Sequence, residues 1–174
     1  MTYPVLNSET IYSGKIFDVL REDVQAPDGH VMRLDIVKHG GAVAFVPVDE
    51  QDRILLVRQY RHPAGQELLE IPAGTLEAGE DPAECVIREC REETGMMPAA
   101  VQHLGGAFLA PGYSSEYLHF YHASDLTPAP LDPDDDEDLS VVPLTLEELR
   151  AAVRSGEIID GKTIAALALL DLQA

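Results

Sequence analysis

Residues 74–96 read GTLEAGEDPAECVIRECREETGM, which we interpret as a loop that leads into an α-helix. Asp81 is suited to the N-cap of this helix, Pro82 to its first position, and Gly95 to its C-terminal end. Asp accepts hydrogen bonds from N–H groups at a helix start, whereas Gly tolerates the left-handed conformation that ends many helices. The pattern therefore predicts a helix over residues 82–94.

The predicted helix separates an apolar stripe from a polar face. At about 100° per residue, the stripe gathers Ala83, Val86, Ile87, Cys90 and Thr94. Glu89 and Glu93 lie one turn apart outside it, with Glu92 beside them. Like charges at this spacing destabilise a helix, and a hard divalent cation such as Mg²⁺ or Mn²⁺ would offset the repulsion. A merely solvated acidic face is the alternative. We predict that one face packs and the other carries chemistry.

The same residues resemble the signature of the Nudix hydrolases. That signature is Gly, five residues, Glu, seven residues, Arg-Glu, an apolar residue, any residue, Glu-Glu, any residue, Gly and an apolar residue. Its fixed positions are filled here by Gly74, Glu80, Arg88, Glu89, Glu92, Glu93 and Gly95, with Met96 at the final apolar place. The resemblance implies an α/β fold, an α/β/α sandwich with a mixed β-sheet. It also implies metal-dependent hydrolysis of a nucleoside diphosphate linked to another group.

The resemblance further implies a set of metal ligands. They are Glu89 and Glu93 as principal ligands, Glu92 as a shared or water-mediated one, and the backbone carbonyl of Ala73. Mg²⁺ is the expected cofactor, and Mn²⁺ is possible. Arg88 is expected to pair with Glu80 and to stabilise the loop rather than to touch substrate.

The residues flanking the signature narrow the resemblance to the ADP-ribose pyrophosphatase branch. The relevant segments are residues 58–61 (RQYR), residues 67–74 (ELLEIPAG), and Pro111, fifteen residues beyond the signature. The branch implies cleavage of ADP-ribose to AMP and ribose 5-phosphate. Alternatives are a pyrophosphatase acting on GDP-mannose or another nucleoside diphosphate sugar, and a noncatalytic nucleotide-sensing domain.

Three glutamates are candidates for catalysis beyond metal binding. In the branch, a glutamate on a loop before the last strand serves as the base, and Glu137 matches that place. A solvated acidic loop is the alternative, because four aspartates surround Glu137. Glu116 is the rival for base or substrate contact, and Glu92 completes the catalytic set.

Four residues are candidates for substrate binding. Arg61 has a planar fork of donors that suits phosphate or ribose, and Glu70 could accept from a ribose hydroxyl or assist the metals. A surface ion pair is the structural alternative for both. Arg58 lies in the same motif as Arg61. Phe17 is a candidate for stacking on the base, or else packs in the core or in a dimer.

The composition bounds the protein class. With 174 residues, 45% of them hydrophobic, the chain suits one compact domain. Its net charge of −19 argues against nucleic-acid binding. No apolar run reaches membrane-spanning length, and residues 1–7 carry no secretory pattern, so we expect a cytoplasmic protein. Cys85 and Cys90 are expected to be small packing residues.

The remaining pattern predicts how the chain is organised. Residues 1–40 are expected to form N-terminal strands that serve dimerisation and the nucleotide pocket, and residues 41–174 the hydrolase domain. In relatives of the branch these strands cross to the partner of a homodimer. Other predicted elements are a meander turning at residues 27–29, a hairpin of residues 41–49 and 53–61, strands at 101–109, 116–123 and 139–144, and helices at 145–155 and 162–172.

Overall fold

The computed structural model of the protein describes residues 2–132 and 138–173. Within these ranges it contains ten β-strands and three α-helices. The strands are β1 (Val5–Ser13), β2 (Phe17–Gln25), β3 (Val31–His39), β4 (Ala42–Pro47), β5 (Arg53–Arg61), β6 (Gln66–Glu70), β7 (Ala73–Thr75), β8 (Met96–Phe108), β9 (Tyr117–Pro128) and β10 (Leu139–Thr145). The helices are α1 (Pro82–Thr94), α2 (Leu146–Ser155) and α3 (Gly161–Gln173).

The chain divides into two compact units. The first contains the residues up to Gly41 together with Ala107–Leu118. Its β1, β2 and β3 form an antiparallel sheet in chain order. The turn between β2 and β3 is closed by a hydrogen bond from the N–H of Gly29 to the carbonyl of Ala26. The predicted meander and its turn are therefore confirmed, with β1 as a further full strand that begins at Val5.

The second unit contains Ala42–Gly106 and the residues from His119 on. It holds two sheets, one with the order β7-β4-β9-β8 and one with the order β10-β5-β6. Every residue of β4 is buried, as in a strand covered on both faces. Phe45 of β4 belongs to the core cluster that also contains Val86 and Cys90 of α1. Because α3 also contacts β4, helices cover this sheet, and the predicted α/β fold class is confirmed.

The predicted hairpin between residues 41–49 and 53–61 is wrong. Both segments are strands and the turn exists, with the N–H of Asp49 donating to the carbonyl of Arg53 at 2.9 Å. However, β4 pairs with β7 and β9, and β5 pairs with β6 and β10. A single bridge between Val48 and Ile54 joins the two segments. The chain therefore uses this turn to pass from one sheet to the other.

The predicted helix boundaries agree with the structure because local capping determines them. The Asp81 side chain accepts a hydrogen bond from the N–H of Ala83 at 2.9 Å, and Gly95 ends α1 with a φ of 73°. At α2, Thr145 and Glu148 form a reciprocal capping box. Among the described helices, none combines the length and the apolar composition needed to span a bilayer.

Candidate active site

The buried face of α1 includes two of the signature glutamates. Glu89 is 7% exposed and Glu93 is 6% exposed, so the prediction that both lie outside the packing face is wrong. The cause is geometric, since Cys85, Glu89 and Glu93 follow one another at intervals of four residues along one line of the helix. This line faces the protein although two of its three members are charged. The two carboxylates are therefore held by their surroundings rather than moving freely in solvent.

Gly74 makes room for the carboxylate of Glu89. A Cβ atom placed on Gly74 would overlap the Oε1, Cδ and Cγ atoms of Glu89. Gly74 belongs to the short strand β7, in which Ala73 pairs with Ala44 of β4. The first glycine of the signature thus brings the backbone beside Ala73 directly against a signature glutamate. Any side chain at position 74 would displace that glutamate.

Arg88 joins three signature carboxylates. Its Nε donates to Glu80 at 3.0 Å and its Nη2 donates to the other oxygen of Glu80 at 3.1 Å. Its Nη1 donates to Glu89 at 2.6 Å and to Glu92 at 3.0 Å. The predicted pairing of Arg88 with Glu80 is confirmed. The same guanidinium also fixes two of the predicted metal ligands, which the sequence interpretation did not include.

The hydrogen bonds of this cluster change its acid–base properties. The bond from Arg88, opposed by partial burial, lowers the pKa of Glu80 to about 2. The bond to Glu80 raises the pKa of Arg88 above its usual value. Glu80 and Arg88 therefore stay charged at every physiological pH. Burial raises the pKa of the Cys85 thiol, and it raises that of Cys90 to about 11, so both remain protonated packing groups as predicted.

The residues present suit a hard divalent cation. Glu89, Glu92 and Glu93 offer carboxylate oxygens, which are the donors that Mg²⁺ and Mn²⁺ prefer. Across residues 2–132 and 138–173, no group of three or more His, Cys, Asp or Glu side chains is arranged to hold a metal ion. Mg²⁺ typically uses one or two carboxylates and completes its shell with water and substrate phosphate. The signature carboxylates would then supply only part of the ligand shell of such an ion.

Arg61, which is partly exposed, forms a bidentate pair with the buried Glu70. Arg61 donates from Nε to Oε1 of Glu70 at 2.8 Å and from Nη2 to Oε2 at 2.9 Å. The ion pair given as the structural alternative is therefore present, but Glu70 is 1% exposed, whereas the Arg61 side chain is 42% exposed. Lys162 of α3 also donates to Oε2 of Glu70. Burial would raise the pKa of Glu70, but the hydrogen bonds and charges of its two partners outweigh burial and lower that pKa.

The Arg61–Glu70 pair lies within electrostatic reach of the signature helix. The pKa of Arg61 is raised first by its hydrogen bond to Glu70, and the charge of Glu93 raises it further. Arg58 lies three positions before Arg61 on β5 and therefore projects from the opposite face of that strand. Its Nη2 lies 3.9 Å from Oε1 of Glu157. The structure thus groups Arg61 and Glu70 but leaves Arg58 apart from them.

Three predicted residues lie elsewhere in the chain. Phe17 and Glu116 belong to the first unit. Phe17 is partly exposed, with its ring 6.3 Å from that of Tyr12, and it lines a cavity of about 270 Å³ with Lys15. Glu116 is half-buried, and its N–H donates to the hydroxyl of Ser114 at 3.1 Å. Glu137 falls outside the described residues.

Sequence interpretation missed the polar residues at the start of α3. Lys162 and Asp160 lie 3.1 Å apart, and the Asp160 carboxylate accepts from the N–H and the hydroxyl of Thr163. Lys162 is the only basic residue between Arg154 and the C-terminus, and it lies at the start of a mostly apolar helix. This lysine was the available signal for the cluster.

Comparisons with known proteins agree with this geometry. The NUDIX domain model matches residues 38–167. An ADP-ribose pyrophosphatase of Bacillus subtilis is 38% identical over 167 residues, which cover 95% of this chain and 90% of the relative. A methanol dehydrogenase activator of Bacillus methanolicus is 36% identical over 170 residues, covering 97% and 92%. A crystal structure of an ADP compounds hydrolase superposes with a TM-score of 0.87 at 25% identity, covering 99% of this chain and 94% of that one.

The fold and the acidic helix define a hydrolase of the Nudix class. The family model covers most of the chain, and its relatives align over nearly their whole length. The chain therefore belongs to the Nudix family, and the resemblance expected from residues 74–96 is confirmed.

Proposed function

We propose that the protein hydrolyses the pyrophosphate bond of ADP-ribose and releases AMP and ribose 5-phosphate. The observation that carries the proposal is the signature helix itself. It carries Glu89, Glu92 and Glu93 within little more than one turn. Arg88 donates to Glu89 and Glu92, and Gly74 leaves room for the side chain of Glu89. The similarity to an ADP-ribose pyrophosphatase over 95% of this chain supports the choice of substrate. A cation held by this acidic helix would suit a substrate with two linked phosphates, because positive charge stabilises the negative charge that develops on the phosphate oxygens during cleavage.

Each group of residues has a distinct part in the proposed reaction. Glu89, Glu92 and Glu93, with the backbone carbonyl of Ala73, would hold the divalent cation. Bound there, it supplies positive charge to phosphate oxygens and lowers the pKa of water. Arg88 keeps two of these carboxylates in place, and the partly exposed Arg61 offers N–H donors to phosphate or ribose. Water attacks one phosphorus, and the other phosphate leaves with its nucleoside or sugar.

The cation we propose is Mg²⁺, with Mn²⁺ as a substitute. Both ions prefer the oxygen donors that the glutamates provide. The net charge of −19 makes an added cation especially useful, because a diphosphate substrate is itself an anion. Activity measured after chelation and then with each ion restored separately tests this choice. Full activity in excess chelator would rule it out.

A panel of nucleoside diphosphate sugars tests the substrate. We expect ADP-ribose to give the highest kcat/KM, with GDP-mannose and other sugars lower by about tenfold or more, since pocket contacts discriminate by about 1–3 kcal/mol. Product analysis by chromatography should then show AMP and ribose 5-phosphate in equal amounts. The matched control is the same panel measured with Glu93→Gln protein. Any hydrolysis that this variant preparation shows comes from contaminating enzymes and is subtracted.

Two results would contradict the substrate assignment in different ways. If GDP-mannose led the panel, the sister activity on that sugar would replace the proposed one. If no sugar were hydrolysed while ADP-ribose still bound, the protein would be a nucleotide-sensing domain. All the signature carboxylates are present in this chain, which favours catalysis over sensing.

The base that takes the proton from the attacking water is proposed to be Glu137 or Glu116, with Glu92 as a third candidate. Glu116 lies just before β9, on a loop whose N–H groups bond back to Ala110. pH–rate profiles of glutamine variants at the three positions identify the base. Only replacement of the base removes the fall in rate at low pH that its protonation causes.

We further propose a homodimer that residues 1–40 help to build, with residues 41–174 as the hydrolase domain. Strand β1 is exposed along all nine residues and forms an edge of its sheet. It exposes apolar side chains that include Leu6 and Ile11. An exposed apolar edge strand is a common template for pairing with another chain. Phe17 of the neighbouring strand is the proposed base-stacking residue.

Sedimentation equilibrium tests the dimer. We expect the native protein to sediment at twice its monomer mass of 19.0 kDa and the double variant Leu6→Glu, Ile11→Glu to sediment as a monomer. Leu172→Glu is the matched control, because Leu172 is 83% exposed on α3 and far along the chain from β1. A native monomer, or a control variant that dissociates equally, would contradict the proposal.

The proposed location is the cytoplasm. The substrate we propose is a small nucleotide sugar, and the strongly negative charge argues against nucleic acid as a partner. Cell fractionation tests the location, and recovery outside the cytoplasmic fraction would refute it.

A further inference from the structure

A buried polar cluster connects the start of α3 with the end of β6. Glu70 is 1% exposed, Lys162 is 9% exposed and Thr163 is fully buried. Buried charges are costly unless they are paired and hydrogen-bonded. Here Glu70 accepts from Arg61 through both oxygens and from Lys162 through Oε2. Arg61 thus engages both oxygens, and Lys162 adds a second cation at one of them.

The second half of the cluster fixes the backbone beside the signature. The Asp160 carboxylate lies 3.1 Å from Nζ of Lys162 and accepts from the Thr163 hydroxyl at 2.6 Å. That hydroxyl in turn accepts from the N–H of Ile71 at 2.9 Å. Ile71 is followed by Pro72 and then by the start of β7. The first turn of α3 is therefore hydrogen-bonded to the segment that leads into the proposed metal site.

The charges of the cluster balance. Arg61 and Lys162 are cationic, and Glu70 and Asp160 are anionic. Removal of the Lys162 charge would leave two carboxylates with one cation in a buried region. Arg61 would then be the one cation near both carboxylates, and its guanidinium would be drawn away from its present position.

The orientation of Arg61 depends on Glu70. A guanidinium is planar and rigid, so two bonds from Nε and Nη2 fix the direction of the Nη1 donors. The Arg61 side chain is 42% exposed, unlike its partner, and the charge of Glu93 acts on it. One edge of the guanidinium is thus fixed in the protein, and the other can reach a bound anion.

We infer that Lys162 is a positioning residue for substrate binding, because it holds Glu70 and through Glu70 orients Arg61. The inference rests on the proposed function, since it assigns Arg61 to the phosphate or ribose of ADP-ribose. Lys162 itself need not touch the substrate. Its effect should therefore pass through Arg61 and disappear when Arg61 is removed.

Steady-state kinetics of Lys162→Met, Arg61→Gln and the double variant test this inference with ADP-ribose and Mg²⁺. We expect Lys162→Met to raise KM about tenfold while kcat changes less than about threefold, as for the loss of a uniform binding interaction. Arg61→Gln should raise KM at least as much. The double variant should have the KM of Arg61→Gln, because residues in one network are not additive. Arg154→Met, on exposed α2, is the control and should leave KM unchanged.

A second variant separates positioning from folding. If Lys162→Met is too unstable to assay, Lys162→Met with Asp160→Asn restores the charge balance, and its KM should still be raised because Glu70 lacks its second cation. An unchanged KM in a folded Lys162 variant, an unchanged KM in Arg61→Gln, or multiplied effects in the double variant would overturn the inference. Failure of the native protein to hydrolyse ADP-ribose would instead refute the proposed function.

Discussion

Replacing Glu93 with glutamine should lower kcat for ADP-ribose by about 10³-fold or more, because loss of this proposed cation ligand would remove several kcal/mol of charge stabilisation from the transition state. Glutamine keeps the volume of the side chain but carries no negative charge, so it is a weaker partner for Mg²⁺. Turnover measured at saturating ADP-ribose and Mg²⁺ gives the effect directly. Partial recovery at very high Mg²⁺ would agree with a weakened metal site.

The same substitution should change stability little, although Glu93 is buried rather than exposed. The volume is conserved, so no cavity forms. In addition, the substitution removes one of two like charges that lie one turn apart on α1. Urea denaturation in chelator measures this separately from catalysis. Glu84→Gln is the matched control, since Glu84 is an exposed glutamate of the same helix. Native turnover in the Glu93 variant would exclude the helix as the metal site.

Gly74→Ala should lower kcat by about 10²-fold, the scale on which support of a metal ligand contributes. The added Cβ would occupy the space of the Glu89 carboxylate, which would have to swing away together with its hydrogen bond from Arg88. The atoms displaced belong to the end of a flexible side chain. The chain should therefore still fold, while one proposed ligand is lost from its place.

Gly40→Ala is the control for the glycine substitution. A Cβ there would meet no atom within 4 Å, so both stability and turnover should stay near the native values. Circular dichroism and urea denaturation establish that both variants are folded, and kinetics then compare them. If Gly74→Ala were folded and fully active, catalysis would not depend on the position of Glu89. The proposed role of Glu89 as a metal ligand would then be refuted.

Local signals in the sequence were sufficient for the helices and for the family. The caps of α1 act within a few residues, and the predicted range 82–94 coincides with the helix in the structure. The capping box at Thr145 likewise determines the start of α2. The signature also identified the Arg88–Glu80 pair, because both residues belong to the same short motif. These features need no knowledge of how distant segments meet.

These local signals do not predict which distant segments of the chain pair with each other. The turn at Asp49 looks like a hairpin turn, but the strands on either side of it enter different sheets. Glu89 and Glu93 were placed outside the packing face because periodicity counts apolar residues, whereas here the fold buries charged ones. Lys162 was missed because its partner Glu70 is 92 residues away in the chain. Each of these features arises from tertiary contacts rather than from local preference.

The two cysteines of α1 allow local opening of this helix to be measured by thiol modification. Cys85 and Cys90 are buried against the sheet, and the Cys85 sulfur also accepts a hydrogen bond from Arg88 at 3.3 Å. Alkylating reagents attack the thiolate, which burial suppresses at both positions. Modification by such a reagent therefore requires α1 to leave its place. Its rate follows the fraction of molecules in which α1 is detached from the sheet, with no added dye or engineered label.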